Sequence, residues 1–594
     1  MNVSEFICDF LVKKQVKTVF LVTGGQAMFL NDALGRRPEI RKICVHHEQA
    51  AGMSADAYGR ISNSVGVAMV TAGPGSINVV NGLVGGWTDS SPMMVISGQS
   101  AYSCVEYQEK SGIRQYGIQG IFIKPFVEKA TKFFVTVDDP AKILYYLEKA
   151  FYLAKNGRPG PVWIDVPLDI QRMQVPEKLL EHYTPDNEGM SVAQRHNLSQ
   201  QCMDLIALSK RPLIVAGQGI ALSGAREAFC KLVERLQIPV VTTRLGIDLL
   251  EYSHPCFVGH PGNYGDRPAN FAIQNADLII AIGSRLATAA VGHNAQKFGK
   301  HAKKIVVDID QKELDKPGIN IDLKILDNAS DFIASLNNLL DVNTVVCSEK
   351  WINQCQYWKA HYPVLQEEYS KAFPINSYFF IDRLSHFADS KDAVMVDTGS
   401  CFHVACQGWK VKAGQRFLTT GGLSSMGYWC AGIGACAATD YNNTIVITGD
   451  GSLQMNLQEF ATIKHNNLPI KVFILNNNGY LLIRQTQRNF MEGRLFGEGP
   501  QSGVWCPDAV KIAQAYGIKA VRISNLEEID EKIQEVLAYN GPVICDIITD
   551  PWQLLVPRIS SEKLPDGTLI SRDYEDMFPY LPSDELRKNM ISEQ

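Results

Sequence analysis

One stretch restricts the fold more than any other: residues 444–487, TIVITGDGSLQMNLQEFATIKHNNLPIKVFILNNNGYLLIRQTQ. Ile445 to Ile447 is short, β-branched and halted by Gly449-Asp450-Gly451, which reads as a buried strand. Leu457, Phe460, Ala461 and Ile463 then recur at helical spacing, and the pattern stops at His465-Asn466-Asn467 ahead of Pro469. Ile470 to Leu475 is a second strand running into Asn476-Asn477-Asn478-Gly479. Such a strand–helix–strand unit has parallel strands and a right-handed crossover. Both polar clusters therefore lie at the carboxyl ends of adjacent strands, where open α/β sheets bind ligands.

The residue types indicate which ligand. Free amides following Asp450 suit a phosphate, and Gly451 lets backbone approach it closely. Asp450 and Asn477 offer hard oxygens of the kind that hold Mg²⁺ together with phosphate and water. A lone Gly-Asp-Gly is more simply a polar turn, but an Asn run closing the next strand favours the ligand reading. The pair resembles the motif of thiamine-diphosphate (ThDP) enzymes. On that resemblance Asp450, the Asn477 side chain and the Gly479 carbonyl hold the metal, and Gly449, Gly451, Ser452, Asn477, Tyr480 and Leu481 meet the cofactor.

The 594 residues make about three to four domains of ordinary size. Hydrophobic content of 46% with 20% charged residues describes a globular chain with large cores. A net charge of −5 gives no footing for nucleic acid or an acidic membrane surface, and no apolar run is long enough to span a bilayer. The 14 cysteines are scattered without a CxxC pair, as in a reduced cytoplasmic protein. The N-terminal stretch, with Glu5, Asp9 and paired lysines, reads as an amphipathic helix feeding a strand rather than a signal peptide.

Strands at Thr18–Val22, Ile43–Val45, Val65–Thr71, Met93–Ser97 and Val162–Val166 alternate with helical segments, giving a first α/β domain over 1–172. Glu48 opens a small-residue helix there, where an acid also serves as a plain helix cap. His46 and His47 lack HExxH spacing and alternate across an extended segment, so a metal site is not expected at that pair. The segment HEQAAGMSADAYGR, followed by VTAGPGSINVVNGL, resembles the part of ThDP enzymes that carries the catalytic glutamate. The resemblance makes Glu48 catalytic and Gly25, Gly75 and Asn78 cofactor contacts.

A polar linker near 173–195 precedes a second domain over 190–340, with strands at Pro212–Ala216, Val240–Thr242, Leu278–Ile282 and Lys304–Asp308. The turn from Gly217 to Ala225 is a Gly-rich strand-to-helix connection, which serves a phosphate or merely a tight bend. ADLIIAIGSRL and KKIVVDIDQKEL resemble the central domain of acetolactate synthases. That implies an FAD site at Gly217, Gly219, Gly283, Arg285 and Asp308, whereas the bland reading of Arg285 is a surface ion pair. A second linker, 341–372, leads to a third domain over 372–550. Its TTGGLSSMGYWCAGIGACAA places Gly422, Ser424 and Met426 in a loop before a small-residue helix. By resemblance these residues meet the cofactor, with Met426 holding it bent. The tail, 551–594, mixes Pro and charge with Trp552, Leu554, Leu555, Phe578 and Tyr580, as an arm packed over a domain and closing the site.

The fold expected is three doubly wound parallel-sheet α/β domains. HEQ, GPG, GRPGPVWIDVP, GSRL, GDG and NN occur in the order seen in the acetolactate-synthase-like branch. The resemblance implies a carboligase that decarboxylates a 2-oxo acid such as pyruvate and passes the two-carbon unit to a second carbonyl compound, either another oxo acid or a nucleotide-linked keto-sugar. It also implies a homodimer or homotetramer whose sites are shared between chains. A 2-oxo acid decarboxylase or a flavin-linked pyruvate oxidase is the alternative. An inactive cofactor-binding scaffold is the reading from another class, and Glu48, Asp450 and Asn477 stand against it. Three departures bear on the acceptor: Thr486 stands where the synthases carry a tryptophan, Gly120 where an acid is usual, and Trp87 among normally small residues. The HPGNYGDRPANF segment and the PDGTLISRDYEDMFPYL tail are similar to branched-sugar enzymes of the yersiniose type, whose acceptor is a nucleotide-linked keto-sugar.

Overall fold

The structure, a computed structural model, describes residues 1–176, 180–185, 189–341, 347–563 and 569–591. Part of the 173–195 linker and part of the tail motif fall outside these. Three six-stranded sheets, every strand parallel to its neighbours, follow one another along the chain.

The first holds β1 (Thr18–Leu21), β2 (Arg41–Cys44), β3 (Gly66–Val70), β4 (Met93–Gln99), β5 (Phe133–Thr136) and β6 (Val162–Pro167). The second holds β7 (Pro212–Ala216), β8 (Val240–Thr242), β9 (Phe257–Gly259), β10 (Leu278–Ile282), β11 (Lys303–Asp308) and β12 (Leu323–Leu326). The third holds β13 (Ala393–Val396), β14 (Phe417–Thr419), β15 (Thr444–Gly449), β16 (Ile470–Asn476), β17 (Lys519–Ile523) and β18 (Val543–Ile548). Helices on both faces bury the central strands on either side, which is why β3 and β7 read as unbroken apolar runs without alternation.

The first and third sheets share one topology, β2-β1-β3-β4-β6-β5 and β14-β13-β15-β16-β18-β17. The middle sheet runs β12-β11-β10-β7-β8-β9, the order of dinucleotide-binding folds. In each, the chain crosses from one side of its first strand to the other at β1/β3, β7/β10 or β13/β15, and the first and third sheets also double back from β5 to β6 and from β17 to β18. Those switch points are where side chains can gather around a ligand.

The first and third domains are fused through a common core. The helix Glu48–Ser62 and the helix Gly432–Ala438 lie against each other, and Phe20, Ala51, Ile433 and Val446 share one cluster. A Cβ on Gly434 would come 1.9 Å from the Ser54 carbonyl oxygen, so that crossing demands glycine. The small residues of both helices thus serve close approach.

One stretch differs from the sequence reading. Residues Glu349–His361, within the expected 341–372 linker, form a helix whose buried Trp351 and Trp358 dock on the middle domain. Trp351 Nε1 donates to the Pro212 carbonyl at 2.8 Å. Its large aromatics were hidden among polar neighbours that mimic a linker. The arm does pack over a domain: Tyr574 and Met577 are buried, and Arg267 Nη2 donates to the carbonyls of Met577 and Pro579.

Candidate active site

β15 ends at Gly449, and Asp450 begins the short helix Asp450–Leu453. Asp450 is only 3% exposed; its Oδ2 accepts the amide of Gly479 at 2.8 Å, which ties the tips of β15 and β16 together. Gly479 has φ +132°, and a Cβ there would lie 2.0 Å from the Glu498 carbonyl oxygen, so only glycine makes that turn. Burial lifts the Asp450 carboxyl to about 6, against hydrogen bonds from Gly479 and from the amides at its own helix start.

Two oxygens here lack any partner: Asp450 Oδ1 and Asn477 Oδ1, both buried. Asn477 spends its amide on a long bond to Ser400 Oγ, 3.5 Å, with its carbonyl oxygen left over. A buried acceptor without a donor is costly, and a hard cation is the group that satisfies two such oxygens at once. Among the described residues no cluster of three or more His, Cys, Asp or Glu gathers as a metal site, so the cation reading rests on this Asp–Asn pair. The ring of Tyr480 covers Gly451, where a Cβ would lie 2.2 Å from its Cε1. Leu481 is buried in the core at the start of the helix Leu481–Phe490.

One residue that sequence reasoning missed organises the surroundings. Asp397, at the end of β13, takes the hydroxyls of Ser452 and Thr448 on Oδ2, at 2.6 and 2.9 Å, and the amides of Thr398 and Tyr428 on Oδ1. Ser452 Oγ in turn accepts the amide of Gly427, 2.8 Å away. The switch point β13/β15 is thereby locked to the loop that carries Gly422, Ser424 and Met426. At the other end of that loop Asp89 accepts the amides of Gly421 and Gly422, at 2.8 and 2.6 Å. Arg60 backs Asp89 at 3.5 Å and donates to the Thr419 carbonyl. Ser424 sits at φ +52° with its hydroxyl on the Gly421 carbonyl, and Met426 is half-buried.

Glu48 opens its helix in the first domain, 8% exposed. Asn78 Nδ2 donates to its Oε2 at 2.9 Å, and a Cβ on Gly75 would stand 3.2 Å from its Oε1. Glu48, Gly75 and Asn78 are thus brought together. Gly25, in the turn after β1, is exposed, while its neighbour Gly24 packs on Thr71 near Gly75. His47 accepts the Gln49 amide and caps the helix, and the His46 amide goes to Glu459, so the pair binds backbone and carboxylate. Among the described residues no hydrogen bond or ion pair joins the Glu48 group to the Asp450 group within the chain.

The middle domain has a cavity of about 240 Å³ at its β7/β10 switch point. Gly219, Gly283, Arg285 and Asp308 line it, and Gly217 packs beneath, where a Cβ would strike the Gly283 carbonyl at 2.3 Å. Arg285 donates to the Thr88 carbonyl at 3.1 Å and has no carboxylate partner among the described residues, so it is not a surface ion pair. Gly120, one of the departures, is held by space: a Cβ would lie 2.1 Å from the Tyr116 carbonyl oxygen. Thr486 is exposed and faces a separate, larger cavity beneath the arm.

Comparison with known proteins agrees with this layout. Residues 1–125 match the N-terminal TPP binding domain of thiamine pyrophosphate enzymes, 199–336 the central domain and 397–547 the C-terminal TPP binding domain. The chain is 33% identical over 575 residues to a probable acetolactate synthase large subunit of Methanocaldococcus jannaschii, covering 93% of each. It is 31% identical over 567 residues to the acetolactate synthase large subunit of Lactococcus lactis, covering 94% of each. With the mitochondrial catalytic subunit of Saccharomyces cerevisiae the identity is 31%, over 93% of this chain and 81% of that one. Three domain models in order, and near-complete coverage by such relatives, make this chain a member of the thiamine pyrophosphate enzyme family.

Proposed function

We propose that the protein is a ThDP- and Mg²⁺-dependent carboligase. It removes CO₂ from a 2-oxo acid such as pyruvate and transfers the remaining two-carbon unit to a second carbonyl compound. The observation that carries this reading is the pair of buried, unpartnered oxygens on Asp450 and Asn477 at neighbouring strand tips. They fit Mg²⁺, with the Gly479 carbonyl as a third protein ligand and the cofactor's diphosphate beside them. ThDP, when bound, supplies the electron sink that decarboxylation of a 2-oxo acid requires. Asn78 fixes Oε2 of Glu48 and so orients the carboxyl, an arrangement for general acid–base work on a bound nitrogen base. Asp89 and Asp397 fix both ends of the loop that carries Met426, so that this side chain is presented in one place.

FAD is assigned to the middle cavity, supported by the dinucleotide-type strand order and the glycines at its switch point. The enzyme is placed in the cytoplasm, in keeping with fourteen free cysteines, as a homodimer or homotetramer in which Glu48 of one chain serves the Asp450 site of another. No nucleic-acid or membrane partner is assigned; among the described residues no helix is long and apolar enough to cross a membrane.

The test is product analysis by mass spectrometry, with pyruvate alone and with added oxo acids or keto-sugars. A condensed product is expected. Free acetaldehyde alone, or peroxide, would overturn the reading in favour of a decarboxylase or a flavin-linked oxidase. A visible spectrum of the purified protein tests for FAD.

A further inference from the structure

His403 is a costly residue for the place it occupies. It lies on the helix Ser400–Gly408, shortly after β13, and its ring lies on that of Tyr264 with centres 4.0 Å apart. Its Nδ1 is buried and has no hydrogen-bond partner. A ring that only filled this space would be better built from carbon, because an unanswered buried nitrogen is destabilising. Phenylalanine would keep the contact with Tyr264 without that penalty. Residues that break a local rule in this way concentrate at functional sites.

Its position indicates which function. Ser400, one turn earlier on the same helix, is the residue whose hydroxyl meets the Asn477 amide at 3.5 Å. His403 itself lines a cavity of about 940 Å³ beneath the arm, together with Gln485 and Thr486. Those two belong to the helix Leu481–Phe490, which begins two residues after Gly479. The imidazole therefore stands one helical turn from the Asp450–Asn477 pair and on the wall of the adjoining space. The ring is uncharged: burial, and after it the Arg244 guanidinium, push it down to about 3. A neutral imidazole carries one N–H. With Nδ1 walled in, Nε2 is the nitrogen that a molecule in the cavity can reach. Nothing accepts from Nδ1, so the proton belongs on Nε2, which makes it a donor.

We propose that Nε2–H of His403 donates a hydrogen bond to the carbonyl oxygen of the second substrate, which makes His403 a catalytic residue of the carbon–carbon bond-forming step. The proposal rests on the carboligase reading. In that step a carbon nucleophile adds to the carbonyl carbon, and the C=O π pair moves onto oxygen. A donor already in place stabilises the charge that gathers there. His403 keeps its own proton, and water supplies the one that the product hydroxyl finally carries. Loss of CO₂ from the first substrate develops no charge at that oxygen and makes no such demand on the residue.

His403→Phe and His403→Gln are compared with the unaltered protein, each loaded with ThDP and Mg²⁺, with pyruvate as donor and pyruvate or benzaldehyde as acceptor. CO₂, free acetaldehyde and condensed product are measured in one reaction, and unfolding in denaturant alongside. His403→Phe is expected to unfold at a higher denaturant concentration than the unaltered protein. It is also expected to move the ratio of condensed product to acetaldehyde about tenfold or more toward acetaldehyde. His403→Gln, which retains an N–H, is expected to restore part of that ratio. A ratio unmoved in both variants would overturn the proposal. A His403→Phe chain that is less stable than the unaltered one, or does not fold, would overturn it as well, since the ring would then be serving the fold. If the unaltered protein releases CO₂ yet forms no condensed product, the carboligase reading fails and the proposal with it. Condensed product with an unmoved ratio rejects the proposal alone.

Discussion

Asp450 and Glu48 are both buried carboxylates at helix starts, yet their surroundings give them different work. Asp450 keeps one oxygen for Gly479 and has one to spare beside Asn477; Glu48 keeps one for Asn78. Replacing Asp450 with Ala is expected to abolish retention of ThDP through gel filtration in Mg²⁺; cofactor that stays bound in the variant would refute the assignment. Glu48→Gln is expected to keep the fold and the cofactor while turnover drops roughly a hundredfold or more, read by steady-state rates beside a cofactor-binding assay. Near-normal turnover would remove Glu48 from the chemistry. Gly120→Ala, by contrast, tests a purely steric claim. Its methyl meets the Tyr116 carbonyl, and the expected loss is about 1–3 kcal/mol in denaturant unfolding. These residues were legible because glycine, aspartate and asparagine in fixed succession at a strand end have few other uses. Asp89, Arg60 and Asp397 were not. They are ordinary residue types, and the Asp89 partners Gly421 and Gly422 lie more than 300 positions away.

At the scale of elements, strands buried on both faces announced themselves. β7 and β10 begin and end where their apolar runs do. Edge strands such as β12 and β17 did not, because half-exposed edges carry mixed residues and lose the apolar run. The helix Glu349–His361 was missed for a related reason: its tryptophans are few and its remaining faces polar. One buried group inside the first sheet makes a measurable difference. Asp165 on β6 accepts from Ser97, Gln99 and Thr136, yet burial still lifts it to about 7 from an ordinary 3.8. The folded protein therefore holds a proton that the unfolded chain has released between those values. This group's contribution is fully present below about 4 and is lost as pH rises through about 7, at about 1.4 kcal/mol per pH unit. Thermal unfolding at pH 5 and pH 8 is expected to show this loss in the unaltered protein and not in Asp165→Asn; equal pH dependence in both would contradict it.

For the whole molecule, the first and third sheets repeat one topology, and each brings its chemistry to the same place, the strand ends around its switch point. One presents Glu48, the other the Asp450–Asn477 pair, and no hydrogen bond or ion pair joins these two groups in a single chain among the described residues. Under the proposed two-fold association, each Glu48 would face the Asp450 group of the other chain. That arrangement is proposed from family resemblance alone, since nothing in one chain's pattern encodes its partner. The direct test is complementation. Glu48→Gln and Asp450→Ala chains, each inactive alone, are unfolded, mixed in equal amounts and refolded together. Shared sites give each mixed pair one intact site of two, and random pairing then restores about a quarter of the unaltered activity. A mixture that stays as inactive as its components would place acid and metal seat within one chain and contradict the account.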